Sequence, residues 1–566
     1  MASDLSKQQQ PTRAGKEAYI DLLWLLIAGA ASTWWCVSAA QALSATFDEP
    51  TYLGVGLEHW RTGSSKGMMK LGTMPLSVDV QTWPLFLWEK WRGVTIDPVR
   101  DLAWILPWAR AATLVFWGTL LIYALRAGRA LAGPWGGRLA VVLLACEPVF
   151  LAHATLATSD IAVTACLLAF FFEYRAHRDS RWPKRVLLPA TLYGIAILAK
   201  ASALVFGVIG MLAIELERLI ASGALRNWRL QLAPFRPFIR DTFGIVAGGL
   251  AVTFIYCGSD WATEPSFIEW AKTLPPGALQ NTMLWTAEHL QIFSNAGEGL
   301  AQQIKHNIRG HRAYLLGEEY RRGVWYYFPV ALTIKTTLPL LLAPVVVLVF
   351  RRRALWNWAC LATAALLVFS LTCRVQIGIR FMLPLLALFA IGMAAAVTEA
   401  YRSLGGPRRQ VLIALVAIGL LCNIAAAARV WPEALCYTNA AWGGTRTGYR
   451  WLSDSNYDWG QGLLELEQWR QRKGVDEIYV WYFGSDHRAQ LPPLRELKLH
   501  STEWLRGQSP AEAARGKCVA VSTTFLHGAY ARASEPGRAA AEFFEKQQPL
   551  DRTMTFFIYD FRTKKR

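Results

Sequence analysis

The chain has 566 residues, of which 53% are hydrophobic and only 18% charged. Soluble globular chains carry about 25% charged residues, so a soluble enzyme, a disordered chain and a fibrous protein are excluded. The formal net charge is +18, which in a soluble protein would suggest a nucleic-acid partner but here has to be tested first as a membrane-topology signal. Nine cysteines without a CxxC pair exclude a zinc ribbon and a dense disulfide scaffold.

Apolar runs long enough to cross a hydrocarbon core, about 20 residues, lie near 20–42, 107–126, 137–154, 160–175, 185–199, 201–217, 241–258, 327–350, 354–372, 378–399 and 410–429. The expected architecture is a polytopic α-helical membrane protein of about eleven transmembrane helices. The stretch 185–217 reads as one long helix or two short ones. The first run follows a basic segment and ends in small residues (Ala39, Ala40, Ala42), as a signal peptide does. It is read as a retained anchor, because the acidic motif after it needs a rigid element to hold it.

With the N-terminus cytoplasmic, the inner segments collect 22 Lys and Arg, among them Arg126, Arg129 and Arg138, the group Arg175–Arg185, Arg226 and Arg229, and Arg351–Arg353. The short outer loops hold only Lys200, Arg374 and Arg380. This is the positive-inside pattern, and it accounts for the basic charge without nucleic acid. Three larger segments face outward: 43–106, 259–326 and the tail 430–566. The expected division is a transmembrane domain, 1–429, and a small extracytoplasmic α/β domain, 430–566. In the tail, strands are predicted at 477–483, 518–522 and 553–559, and helices at 461–472 and 536–547. Cys436 and Cys518 of the tail could pair in an oxidising compartment.

Several polar residues stand where a membrane protein needs a reason for them. Asp48 and Glu49 follow the first span directly; such a pair is either a solvated helix end or a base or metal ligand held at the membrane surface. Asp160 opens the fourth span, where it can cap the helix and still point into a cavity. Glu147 lies inside a span beside Pro148, either paired with a cation or protonated. Lys335 lies inside the eighth span, where a charge costs about 2.5–3.5 kcal/mol. Lys200, Lys335, Arg374 and Arg380 together call for an anionic partner, and phosphate suits them. His306 and His311 are spaced too far apart for one helical face, so neither makes a metal site alone; one of them sharing a metal with a carboxylate of the first loop is the alternative to a hydrogen-bonded surface histidine.

The order of these pieces resembles the integral-membrane GT-C glycosyltransferases, in the branch of protein O-mannosyltransferases and lipid A aminoarabinose transferases. The resemblance rests on Phe47-Asp48-Glu49-Pro50-Thr51-Tyr52, on Glu147-Pro148 through His153 to Ser159-Asp160, on Gly194 through Lys200 to Ala203, on Gly310-His311 through Glu318 with Trp325–Pro329 and Lys335, and on Gly378-Ile379-Arg380-Phe381 to Pro384. Asp454-Ser455-Asn456-Tyr457-Asp458-Trp459-Gly460-Gln461 is similar to a segment of bacterial members. Many relatives carry His-Pro late in the first loop, whereas this chain has Met74-Pro75.

The resemblance implies transfer of a sugar from a polyprenyl-phosphate donor to an acceptor hydroxyl or phosphate on the outer face of the membrane, with inversion. Asp48 is the expected base, with Glu49 and Asp160 supporting it. Lys200, His311, Lys335 and Arg380 are the expected donor-phosphate ligands, and Glu49 with His311 the candidate ligands of a divalent metal. The expected setting is a bacterial inner membrane, with a protein, lipid or glycan acceptor. The alternatives are a transporter or flippase of lipid-linked sugars, which would place its charges at mid-bilayer, and an inactive scaffold for the tail domain.

Overall fold

The computed structural model describes residues 5–223, 235–259, 261–291 and 295–562. Arg226, Arg229 and the basic end Thr563–Arg566 lie outside the described residues. The chain is mainly helical. Among the described residues, five helices are long and apolar enough to cross a membrane: Gly15–Ala42, Leu102–Cys146, Pro237–Cys257, Ile379–Ser403 and Gly406–Val430. Tyr327–Lys335 and Leu338–Leu355 add a sixth if they are taken as one span bent by 103°.

The difference from about eleven has local causes. Leu102–Cys146 contains the expected span 107–126 and the first part of the expected span 137–154, and its backbone leaves the helical region at Ala132 and at Gly133 (φ 68°). A Cβ on Gly128 would lie 2.5 Å from the carbonyl oxygen of Gly136, so the two arms reverse against each other in a turn that only glycine permits. Glu147 then ends the second arm, and Pro148–Ala154 continues as a short separate helix. The stretch 185–217 divides at Lys200 into Leu188–Ala199 and Ala203–Ala221. Trp358–Ser370 spans only 13 residues. These elements are apolar but individually short.

Glu147 neither pairs with a cation nor stands alone. Its carboxylate accepts from Thr337 N (3.0 Å) and Thr337 Oγ1 (2.6 Å). It thereby satisfies the free N–H where the bent span restarts, and so holds the break at Thr336–Thr337 in place.

The segment 43–106 forms helices Glu49–Thr62, Lys66–Lys70 and Pro75–Arg92. The segment 259–326 ends in helix Ala296–Arg309 and the hairpin β1 (Ala313–Leu315) and β2 (Glu318–Tyr320). In the tail, β3 (Ile478–Trp481), β4 (Leu494–Glu496), β5 (Cys518–Ser522), β6 (Asp551–Arg552) and β7 (Phe556–Asp560) form one sheet in the order β4-β3-β5-β7-β6. The β4-β3-β5 pairs are parallel and the β5-β7-β6 pairs antiparallel.

Alternation along β5 separates the two faces. Cys518 and Ala520 pack with Leu466 and Trp469 of helix Leu463–Arg472. Val519 and Val521 join Phe544 of helix Glu535–Glu545 in a core that runs without interruption into the membrane helices. The tail is therefore packed onto the helical part rather than merely tethered to it. Cys436 and Cys518 are both free thiols; Cys436 donates to the carbonyl of Tyr457, while Cys518 is committed to the sheet, and the pairing left open by the sequence is not formed.

Candidate active site

The first helix ends against Arg110, whose guanidinium donates to the carbonyl oxygens of Ala40 (2.8 Å), Leu43 (2.9 Å) and Ser44 (2.7 Å). A cation at this end satisfies carbonyls that the helix leaves open. Arg110 also makes a two-pronged pair with Glu49, at 2.8 and 2.7 Å. Glu49 further accepts from Thr46 N and Ala157 N, both at 2.8 Å. Burial pushes its carboxyl up, but Arg110 and the backbone donors outweigh burial and hold it below the usual range.

This corrects the expectation for Glu49. Neither side chain of the pair is exposed, and both carboxylate oxygens are occupied, so Glu49 is a clamp on the turn and not a base or a metal ligand. Removing one partner strands the other charge in the interior. Glu49→Gln and Arg110→Met should each lower the unfolding free energy in detergent by about 3–5 kcal/mol, measured by thermal or denaturant unfolding. Equal stability to wild type would contradict the clamp.

The clamp leaves Asp48 facing the opposite way. Its Oδ2 accepts from Arg380 Nη1 at 2.9 Å, and Tyr52, one helical turn on, reaches the same oxygen at 3.5 Å. The same guanidinium nitrogen lies 4.0 Å from Asp160. Asp160 is the first residue of its helix rather than the cap. Its carboxylate is held by Lys200 Nζ (2.5 Å) and Thr158 Oγ1 (3.1 Å). Lys200 and Arg380 both lie over the ring of Phe381, and Arg380 lies 4.2 Å from the ring of Trp459. Asp48, Arg380, Asp160 and Lys200, distant in sequence, thus form one alternating row of charges. Asp48 is 23% exposed and Asp160 1%, so solvent reaches the row at the Asp48 end and at the partly exposed Lys200.

The segment 454–461 builds the frame around this row. Asn456 Oδ1 accepts from Ile379 N, and Ser455 Oγ donates to the carbonyl of Ile377. On the other side, the carbonyls of Trp459 and Gln461 accept from Phe47 N and Ser44 N. One loop therefore sets both the Asp48 strand of chain and the Arg380 turn. Gly378 allows the approach, since a Cβ there would meet Ser455 Oγ at 2.0 Å. Asp454 has a left-handed backbone (φ 58°), unusual without glycine. Its buried carboxyl is raised in pKa mainly by burial and accepts from Tyr530.

Lys335 also departs from its expected role. It is 2% exposed, and its ammonium donates to the carbonyls of Leu435 (2.7 Å) and Asn456 (2.6 Å). It ties the bent span to the frame loop and has no open side for a phosphate. His311 stands one layer out: its Nδ1 donates to the carbonyl of Arg312 (2.8 Å) and its Nε2 faces the Tyr530 hydroxyl at 3.4 Å. His306 packs edge-on against it. Arg374 is exposed, outside the row. The residues do not fit the metal set expected from Glu49 and His311, because Glu49 is fully used by Arg110 and backbone donors. Among the described residues, no group of three or more His, Cys, Asp or Glu is placed to hold a metal ion.

Tyr52, Asp454 and Trp459 lie in the quoted motifs without an expected role, and Tyr530, which faces His311, lies outside every motif. His153 lies buried beside Asp160, with its Nδ1 lacking a hydrogen-bond partner. The Asp454–Gln461 motif was visible, but its role as a frame depends on contacts with residues more than 400 positions away.

Two acids, Glu433 beneath the frame and Asp458 within it, carry a pH dependence. Burial raises the Glu433 carboxyl to about 8 and the Asp458 carboxyl to about 6. A carboxyl with a raised folded pKa binds its proton more tightly when folded, so stability is present below the unfolded pKa and falls as pH rises toward the folded value. The melting temperature should therefore fall between pH 5 and pH 8. Glu433→Gln should remove the part of the fall above about pH 6 and raise the melting temperature at pH 8. An unchanged slope in that variant would contradict the assignment.

Residues 84–233 match the family described as dolichyl-phosphate-mannose-protein mannosyltransferase. Asp160 and Lys200 fall inside this match; Asp48, His311, Lys335 and Arg380 fall outside it. No curated protein matches the chain. Among solved structures, the chain is similar to ArnT from Cupriavidus metallidurans bound to undecaprenyl phosphate, with 15% identity, 94% of this chain and 97% of that chain covered and a TM-score of 0.39. For the apo state of the same protein the identity is 13%, the coverage 94% and 97%, and the TM-score 0.43. It is also similar to the apo oligosaccharyltransferase of Archaeoglobus fulgidus, with 12% identity, 97% of this chain and 75% of that chain covered and a TM-score of 0.44. The resemblance of the motifs to membrane glycosyltransferases is thus shown over residues 84–233, where the chain is similar to the dolichyl-phosphate-mannose-protein mannosyltransferases.

Proposed function

We propose that the chain transfers a sugar from a polyprenyl-phosphate-linked donor to an acceptor hydroxyl or phosphate, inverting the anomeric carbon. The observation that carries this reading is the row Asp48–Arg380–Asp160–Lys200, in which an accessible carboxylate lies within 2.9 Å of a cation that is itself backed by a second acid–base pair. The description of the matched family, which names a lipid-phosphate-linked mannose, supports the donor class.

For a hydroxyl acceptor, Asp48 takes the proton as the oxygen attacks C1 of the sugar. The new C1–O bond forms as the C1–O bond to phosphate breaks, and the electron pair leaves with the phosphate. Phosphate needs no general acid as a leaving group. What it needs is charge stabilisation in place before the bond breaks, which Arg380 and Lys200 supply. Asp160 keeps both cations in register. Trp459 and Phe381 wall Arg380 from water, which strengthens its field. His311, through Tyr530 and Asp454, positions the frame.

In this reading the chain sits in a bacterial inner membrane, with segments 43–106, 259–326 and the tail domain 430–566 on the extracytoplasmic side, the tail forming part of the acceptor side. The reading is tested by the configuration of the product. A β-linked donor should give an α-linked product, read by NMR. A β-linked product would mean a double displacement and remove Asp48 as the base. Movement of intact lipid-linked sugar across the membrane without cleavage would favour transport instead.

A further inference from the structure

One cavity lies away from the charged row. It is a groove of about 870 Å³ between helices Leu338–Arg351, Ile379–Ser403 and Gly406–Val430, and none of Asp48, Asp160, Lys200 or Arg380 lines it. Its walls are apolar, with Ala343, Met393, Leu415, Gly419 and Ala426 among them. Its rim at Leu342, Ile418 and Leu421 is more than half exposed. From Leu415 to Val430 the groove follows its helix for about 22 Å, longer than one leaflet of a hydrocarbon core about 30 Å thick. At the Val430 end it meets polar residues, Thr438 and Thr445, and one cation, Arg429. Arg429 is exposed and makes no ion pair among the described residues. Lys335, two residues before the lining Thr337, is committed to the carbonyls of Leu435 and Asn456.

In a bilayer an apolar groove gains nothing from the hydrophobic effect, because lipid tails are as apolar as its walls. A tail fills it by packing alone. Selective retention requires a polar contact at the end, and an unpaired arginine selects an anionic headgroup. We infer that this groove holds one anionic glycerophospholipid, its acyl chain along Gly406–Val430 and its phosphate at Arg429. The bound lipid would brace the last span, whose outer end leads into the frame loop.

The test is native mass spectrometry of the detergent-purified full chain, titrated with phosphatidylglycerol, phosphatidylcholine or undecaprenyl phosphate. Wild type should retain one phosphatidylglycerol about fivefold better than phosphatidylcholine. Arg429→Gln, at an exposed position, should abolish that preference while leaving the melting temperature in lipid-free detergent unchanged. Ala426→Trp, which fills the groove, should reduce retention of both phospholipids. Equal retention of the two phospholipids by wild type, or an unchanged preference in Arg429→Gln, would overturn the inference. Displacement of phosphatidylglycerol by an equal concentration of undecaprenyl phosphate would also overturn it, by making the groove a donor site. Because retention and not sugar transfer is read, failure here leaves the proposed transfer reaction standing.

Discussion

Asp48→Asn is expected to reduce the turnover of sugar transfer by about 10²–10⁴-fold, the range that a positioned general base contributes. Asparagine keeps the size of the side chain and an oxygen that accepts from Arg380, so the 2.9 Å contact can persist. What it loses is the ability to take the acceptor's proton as the new bond forms. The loss should therefore fall on turnover, with the apparent KM for donor little changed. Asp48→Glu keeps the carboxylate but moves it by one methylene; it should retain more activity than the asparagine variant and less than wild type. If Asp48→Asn and wild type turn over equally, the base lies elsewhere.

Arg380→Gln is expected to lower turnover by about 10²–10³-fold, the typical cost of removing one group that stabilises charge developing in a transition state. Arg380 is 7% exposed and faces two carboxylates, at 2.9 Å and 4.0 Å. Removing it leaves Asp48 and Asp160 opposed with Lys200 as the remaining cation of the row. Some loss of stability is expected as well, because an uncompensated buried charge is costly, so turnover is compared per folded protein. Arg380→Lys restores a positive charge but not the planar fork that reaches Asp48 while lying over Trp459; it should recover part of the loss. Full activity in Arg380→Gln would show that the leaving phosphate is stabilised by other groups.

The charged residues of the row were legible in the sequence because each breaks a rule of membrane composition. Lys200 and Arg380 stand against the positive-inside trend, and Asp48 and Asp160 stand at helix ends. Composition cannot distinguish such a residue from one that breaks the same rule for structural reasons. Glu49 and Lys335 looked equally out of place, yet Glu49 answers Arg110, an arginine inside an apolar run, and Lys335 answers backbone carbonyls exposed by the frame loop. Those partners are 61 residues away for Glu49 and 100 and 121 residues away for Lys335. Hydropathy located apolar segments well, but it cannot see the reversal at Gly128–Gly136 or the break that Glu147 stabilises at Thr337. Three of the tail's five strands, β3, β5 and β7, were readable in the sequence, while the two- and three-residue β6 and β4 were not; the continuity of the core with the membrane helices depends on packing that no local pattern records.

In the proposed reaction the Asp48–Arg380–Asp160–Lys200 row cleaves a lipid-phosphate sugar bond. The most direct measurement is release of polyprenyl phosphate from labelled polyprenyl-phosphate sugars by the full chain in membranes, with several donor sugars and a mixed acceptor pool, against Asp48→Asn at matched expression. Release is expected with at least one donor, dependent on acceptor and lost in the variant. Folded protein that releases nothing from any donor, or releases equally with Asp48→Asn, would contradict it.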